Sequence, residues 1–254
     1  MIIAPVFFTM AIDFRPYLKK HSKSGNKISL IYKRVTNADS EFINCDALEI
    51  KDGVIDGFSI NGGQNKEADI SLEVFIFNFK TFMKLIKKSR EISTLFNIRD
   101  LVRHIVANKM FAINAYPFDG LVIPILTFQN FVKYSTDLLN YDIRKQLFKE
   151  GWPIYTTTHN TPPATYGENA HVSNSFIANG CIIKGTVINS VISRDVIVEE
   201  GAIVKDCVLY SGTQVGKGAN LQYVLSDKKV TIKEIIDVAG EKDDFIYISR
   251  GAHI

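Results

Sequence analysis

Near residue 150 the chain changes the way its apolar and polar positions alternate. Before that point, strand-like apolar clusters alternate with stretches whose apolar residues recur at helical spacing, as in a sheet covered by helices. Strands are expected at 28–32 (ISLIY), 70–77 (ISLEVFIF), 111–116 (FAINAY) and 121–126 (LVIPIL). The opening run, Met1 to Ile12, is apolar at both alternate sets of positions and predicts a strand of a parallel sheet buried on both faces. A chain that starts inside such a strand is expected to lack the first half of its domain.

Three helices fill the intervals. Residues 79–90 put Phe79, Phe82, Met83, Leu85 and Ile86 on one stripe with the lysines facing water, and Asn78 stands where a cap is needed. Residues 98–109 repeat the pattern with Ile98, Leu101, Val102 and Ile105, which leaves His104 as a surface or packing residue rather than a ligand. A third stripe runs through Phe128, Phe131 and Leu138.

The stretch 151–168 has no apolar period, and it holds three of the chain's seven prolines and a threonine cluster, so 151–169 reads as a linker. It opens with the only tryptophan, Trp152, read as an anchor for the connection. From Ala170 the texture is new. Branched apolar residues return every five to seven positions, at Val172, Ile177, Ile182, Val187, Ile192, Ile197, Ile203, Val208, Val215 and Leu221, with Gly, Asn or small residues between them. Neither a helix nor a single alternating strand has this period. It fits a parallel β-helix whose coils stack strands about 4.8 Å apart, with the apolar positions filling the interior. The expected organisation is therefore an α/β domain over 1–150, the linker, and a β-helix over 170–254. Stacked strands leave edges that need covering, by the first domain or by another subunit, and the tail strand with Phe245 and Tyr247 suits that role.

Composition narrows the class. With 254 residues, 46% hydrophobic, 22% charged and a mean hydropathy of +0.05, the chain has the makings of one or two packed cores and is not disordered. Thirty basic against 27 acidic side chains leave +3, and the basic residues are scattered in pairs such as Lys19-Lys20, Lys87-Lys88 and Lys228-Lys229, so no nucleic-acid surface is expected. The apolar start is broken by Pro5 and Thr9, falls short of the roughly 20 residues of a membrane helix and lacks a basic flank; neither a span nor a signal is expected. Cys45, Cys181 and Cys207 are odd in number and without CxxC spacing, which fits reduced, buried thiols and a cytoplasmic location. The five histidines never approach metal-ligand spacing, and no metal site is expected.

Particular residues carry a resemblance. The order PIY (153–155), PP (162–163), YGE (166–168) and NSFIANGCIIKG (174–185) resembles the C-terminal part of bacterial glucose-1-phosphate adenylyltransferase (ADP-glucose pyrophosphorylase), and most of all its GlgD-type subunit of glycogen biosynthesis. Upstream, residues 12–35 resemble that family's helix and strand after its central strand, 69–86 its sugar-binding strand and following helix, and 112–120 a further segment of its site. The resemblance spans nearly the whole chain but starts partway into the catalytic domain. It implies a nucleotidyltransferase (Rossmann-like) α/β domain joined to a left-handed β-helix, and a reaction of ATP with glucose 1-phosphate that needs cradled phosphates and Mg²⁺ held by carboxylates.

Set on this sequence, the implied machinery is depleted. The glycine-rich nucleotide loop is absent, and Gly62-Gly63 reads as a surface turn. The family's two metal-holding acids fall near Val6 to Phe8 and at Val122, Ile123 and Pro124; the acids nearby, Asp13 and Asp119, read as a helix cap and a turn residue. The Glu-Lys sugar anchors fall at Ile60 and Asn61, after Phe58. Ser71 matches the sugar-contacting serine and is the one substrate-binding candidate, while Glu73 replaces a glycine; a serine on an apolar strand also commonly bonds only to backbone.

Three functions are therefore weighed: a non-catalytic regulatory or assembly subunit, a catalytic adenylyltransferase of which this chain is a fragment, and a hexapeptide-repeat acyltransferase, for which His171 is the only histidine near the repeats. The first is favoured, with no cofactor for this chain, Mg²⁺ and ATP belonging to a catalytic partner in a hetero- or homo-oligomer, and a sugar phosphate as effector. Lys184, Arg194 and Lys205 are candidate anion contacts beside the commoner reading of solvated charge.

Overall fold

The computed structural model describes residues 1–92 and 97–254. They form two compact units, Met1–Leu126 and Thr127–Ile254.

In the first unit the opening apolar run does not form one strand. Pro5 lacks the N–H a ladder needs, and the run divides into β1 (Ile2–Ile3) and β2 (Phe8–Met10), with Val6 between them almost fully exposed. Both strands pair antiparallel, which replaces the expected two-sided parallel strand. Helix α1 (Phe14–Ser24) follows. The Asp13 carboxylate accepts from the Arg15 N–H at 2.9 Å to cap its start, and Gly25 at φ 69° ends it in the left-handed region that glycine takes freely.

The long strands β3 (Ile28–Val35) and β6 (Ala68–Phe77) lie at the centre, antiparallel to each other. Between them in sequence comes a hairpin, β4 (Asp46–Lys51) and β5 (Val54–Ile60), which the apolar pattern did not announce because its outer positions are polar and Gly53 turns it. After α2 (Phe79–Ile92) and α3 (Ile98–Ala107) come β7 (Asn114–Pro117) and β8 (Val122–Pro124), shorter than the apolar runs that foretold them. Asn78 caps α2 as expected, its side-chain oxygen accepting from the Lys80 N–H at 3.1 Å.

The sheet runs β1-β6-β3-β7-β5-β4, and a further pairing of β4 with β6 through Ala47 and Ile70 joins its far strand back to the centre. Only β3 and β7 are parallel in it. Successive side chains of β6 serve opposite faces: Ile70, Leu72, Val74 and Ile76 pack with Phe8, Ile31 and Phe42, whereas Phe75 and Phe77 pack with Leu101, Val102 and Ile105 of α3.

The second unit opens with helices. Thr127 and Asn140 cap α4 (Phe128–Asp137) and α5 (Tyr141–Leu147) through their side-chain oxygens. The stripe expected through Phe128, Phe131 and Leu138 is displaced: Val132 is the buried residue of α4, Phe128 is exposed, and Leu138 falls beyond the last helical residue. Downstream, residues 165–248 wind into a parallel β-helix whose strands stack in three five-stranded ladders. One ladder, for example, stacks Phe176–Ile177, Val191–Ile192, Val208–Leu209, Val224–Ser226 and Ile246–Ile248. The first of these strands in another ladder, Thr165–Tyr166, already lies within the stretch read as linker.

The coil's repeat length is visible in its bonds between coils, 15 residues at Asn174 to Asn189 and 17 at Cys207 to Ser190. Its corners need left-handed backbone, and Asn174, Asn189, Asp206 and Tyr223 supply one column at φ 42–53°. The interior is Ile183, Val187, Ile192, Val198, Val204, Leu209, Val215 and Leu221, all at or near zero exposure. Four of these stand one position after the expected residue. Ile182 and Ile203 are instead exposed at 39% and 42%, because an apolar doublet satisfies either phase and a shift of one residue turns every side chain to the other face.

Helix α4 covers one outer face of the coil. Val132 packs on Val208 and Leu225, and Phe131 stacks on Tyr210 with ring centres 6.3 Å apart. Tyr247 of the tail strand meets Phe128 edge to face at 6.0 Å, and the Arg144 guanidinium of α5 lies 5.0 Å from the ring centre of Phe176. Part of the covering expected from elsewhere is thus supplied by two helices and the tail of the same unit.

Candidate functional site

Along β6 one step of the ladder with β3 is irregular. Ile31 faces Val74 but Tyr32 faces Ser71, so Leu72 and Glu73 form a bulge. Glu73 sits there at φ 52°, a left-handed conformation that is uncommon outside glycine, Asn and Asp. Its N–H donates to the Ser71 Oγ at 3.1 Å, so the buried hydroxyl of Ser71 is engaged with backbone.

The bulge directs the Glu73 side chain toward α3. A cleft of about 340 Å³ opens there, walled by Ile3, Pro5, Phe7, Phe75 and Ile98, with Glu73, Asn97 and Arg99 as its polar groups. Behind it lies a charge cluster. Asp46, 1% exposed at the start of β4, accepts a fork from Arg99, Nε at 2.9 Å and Nη2 at 2.7 Å, and a second fork from Arg103 one helical turn on. Glu73 Oε1 is 3.4 Å from Arg99 Nε.

Burial pushes the Asp46 carboxyl upward, but the hydrogen bonds from Arg99 and Arg103 outweigh it and hold the group below the ordinary carboxylate value. Glu73 lacks such bonds, and burial raises its carboxyl above the ordinary value. Burial also pushes the neighbouring Cys45 thiol up to about 12, so it is an inert packing group.

The residues that the family resemblance singled out lie as follows. Strands β2 and β8 pair with each other, Phe8 facing Pro124, Thr9 facing Ile123 and Met10 facing Val122. The two segments implied to carry metal acids therefore meet through Phe8, which is buried like Val122 and Ile123, while Val6 stands outside the ladder and is exposed. Mg²⁺ takes oxygen ligands, chiefly carboxylates and water, and these residues do not fit it. Among the described residues no group of three or more His, Cys, Asp or Glu could hold a metal ion. Asp13 is tied to Arg15, and the backbone carbonyl of Gly120, beside Asp119, accepts from Lys33 at 2.8 Å.

At the implied sugar anchors, Ile60 is 62% exposed and Asn61 is buried. The Asn61 amide donates to the carbonyls of Ala38 and Phe42 at 2.6 and 2.8 Å, and its oxygen accepts from the N–H of Gly63, which makes Gly62-Gly63 part of a turn. In the second unit His171 is exposed and Trp152 is partly so. Lys184 is paired with Glu199 at 3.0 Å, while Arg194 lies in a turn and Lys205 ends a strand of another ladder, so the structure does not gather these three. The three cysteines are free and buried.

Sequence reasoning missed Asp46, Arg99 and Arg103. The only signal was the i, i+4 spacing of the two arginines on α3, and their partner belonged to an unrecognised hairpin 53 and 57 residues away.

Comparison with known proteins agrees with the motifs. Residues 161–245 match the family model described as GlmU-like, C-terminal hexapeptide. Proteins named glucose-1-phosphate adenylyltransferase from Bacillus mycoides (strain KBAB4), Bacillus cereus (strain Q1) and Bacillus anthracis are each 30% identical to the chain over 186 residues. That alignment takes in 71% of this chain and 49% of each relative, so the chain spans about half the length of the curated relatives it matches. No helix among the described residues is long and apolar enough to cross a membrane. Over 186 residues the chain is thus similar to the glucose-1-phosphate adenylyltransferases, and it combines an α/β unit with a hexapeptide-repeat β-helix.

Proposed function

We propose that the chain is a non-catalytic regulatory or assembly subunit, of the GlgD type, of a glucose-1-phosphate adenylyltransferase in glycogen biosynthesis. One observation carries this reading. The β2–β8 ladder brings together the two segments where the resemblance expects metal-holding acids, and Phe8, Val122, Ile123 and Pro124 give a cation no carboxylate. The buried amide of Asn61 and the exposed Ile60 at the implied sugar anchors support it.

In this reading ATP and Mg²⁺ are handled by a catalytic partner subunit, and the chain acts by what its β-helix and the junction near Trp152 contact. A sugar phosphate that prefers one state of the assembly is the natural effector, since coupling requires a ligand with unequal affinity for two states. The relatives' name and the half-length match favour a second reading, that the chain is a piece of a catalytic adenylyltransferase.

Co-expression with the catalytic subunit of the same source separates the two. The chain alone is expected to form no ADP-glucose, and together they are expected to co-purify with altered kinetics. ADP-glucose formation by the chain alone overturns the first reading; failure to bind the catalytic subunit overturns the assembly role.

A further inference from the structure

One end of the first unit's sheet gathers lysines and exposed apolar side chains from separate segments. Strand β3 begins there at Ile28, opposite Phe77, the last residue of β6. The Phe77 N–H donates to the Met1 carbonyl at 2.8 Å and the Asn78 N–H to the Lys27 carbonyl at 2.9 Å. The start of β1, the connection from α1 to β3 and the first turn of α2 therefore meet at this end. The Lys27 ammonium lies 4.7 Å from the ring centre of Phe111, which brings in the segment before β7. Helix α2 turns Leu85 into the core but leaves Phe79, 62% exposed, and Met83 one turn on in water, and Met1 and Met110 are exposed as well. Lys80 and Lys84 form the neighbouring stripe of α2, one turn apart and exposed. Lys23 and Lys27 stand exposed at the end of α1 and just beyond it. Among the described residues none of these four lysines has a carboxylate within ion-pair distance. Asp52 and Asp56 of the β4–β5 turn lie at the same end across β7, and Asp56 is engaged by Lys51.

We propose that this end of the sheet docks on an anionic lipid surface, the four lysines meeting the headgroups while Phe79 and Met83 enter the interface. The charges decide for lipid over protein. All four cations are lysine, which protein interfaces deplete while enriching arginine. Near an anionic bilayer each lysine instead strengthens binding by about fivefold, and its long stem lies along the apolar boundary while the ammonium stays wet. The apolar side chains project into solvent from three segments, as interfacial anchors do, whereas a partner helix is gripped by a groove. Docking of this kind is contact with the surface only, since α2 has 14 residues and spans nothing. The inference does not depend on the subunit assignment, because these groups belong to this chain whether or not a catalytic partner binds.

The test is co-sedimentation of the whole chain with vesicles of phosphatidylglycerol and phosphatidylcholine in equal parts, set against vesicles of phosphatidylcholine alone. Binding is expected to the first and not the second, and it should fall as salt rises. Lys80→Gln combined with Lys84→Gln should weaken it by about 30-fold, and Phe79→Ser by about fivefold. All three positions are exposed, so thermal melts should show folded variants. The same loss of charge on the coil, Lys228→Gln with Lys229→Gln, should leave binding unchanged. Equal binding to both kinds of vesicle overturns the proposal, as does a coil variant that loses as much as the α2 variant. Retention on immobilised polyglutamate without binding to vesicles would assign this end to an acidic protein and overturn the lipid reading. Full binding by Phe79→Ser overturns the role of the apolar side chains.

Discussion

The first unit buries charge and the coil buries none. Behind β6 an aspartate is withdrawn from water and held by two arginines that still reach solvent, whereas the coil interior is Ile, Val, Leu, Ala and Cys relieved only by hydroxyls such as Thr213 and Ser226. Contact range differs in the same sense. Asp46 reaches Arg103 across 57 residues, while coil bonds recur at 15 or 17. A repeated coil can take its stability from many equivalent apolar layers, each contributing about 1.5–3 kcal/mol per buried side chain, so no single residue is unique. The first unit instead concentrates its specificity in a few irreplaceable pairings.

The largest test of that contrast lies in the coil's phase. Ile183→Ala should cost about 3 to 4 kcal/mol through lost burial and a cavity, while the adjacent Ile182→Ala costs under about 1 kcal/mol. Urea midpoints measure both, and equal losses would mean that the doublet faces neither way. Next, Asp46→Ala leaves Arg99 and Arg103 without their shared carboxylate and should cost about 3 kcal/mol, the low end for a broken buried pair because both arginines reach solvent. Its transition should move in the first unit only, read by proteolysis of each unit; a shift of the coil as well would erase the distinction.

A smaller loss, about 2 kcal/mol, is expected for Gly185→Ala. A Cβ there would come within 2.6 Å of the Glu199 carbonyl oxygen and closer still to that of Ala202, both rigid backbone of the next coil. An unchanged melting temperature would show that the coils can slide apart. Ile235 should give a gain. It is a β-branched residue at φ 51° and 86% exposed, stacked after Gly201 and Gly218 in the same corner column, and Ile235→Gly should stabilise by about 1 kcal/mol.

The smallest effect is a dependence on pH centred on Glu73 in the first unit. Around Glu73, Arg99 and Arg103 of α3 favour its ionised form, while Asp46 of β4 and Asp100 of α3 oppose it, and burial dominates, raising its pKa above 4.5. A raised folded-state pKa gives stability that is full below about pH 4.5 and is lost as pH rises through the folded value. Glu73→Gln should therefore gain on the unaltered chain across that window. Asp46 works in the opposite direction, since its lowered pKa keeps its contribution intact until pH falls below 3.8. A difference between chain and variant that is constant from pH 4 to pH 7 would contradict the account of Glu73.

Much of this architecture was written in local pattern. The short apolar period identified the β-helix, and helical spacing found α2 and α3 with the Asn78 cap, because each depends on neighbours within one turn or one coil. Asp13 as a cap and Gly62-Gly63 as a turn were equally local. Tertiary structure alone decided the rest. It chose Ile183 over Ile182, since either member of an apolar doublet could point inward and only stacking on the next coil distinguishes them. It split Met1 to Ile12 into two antiparallel pairings whose partners, β6 and β8, lie far along the chain. It also joined Asp46 of an unannounced hairpin to Arg99 and Arg103, because a charge pair leaves no period in sequence and exists only once burial has removed the water that would otherwise solvate each side chain separately.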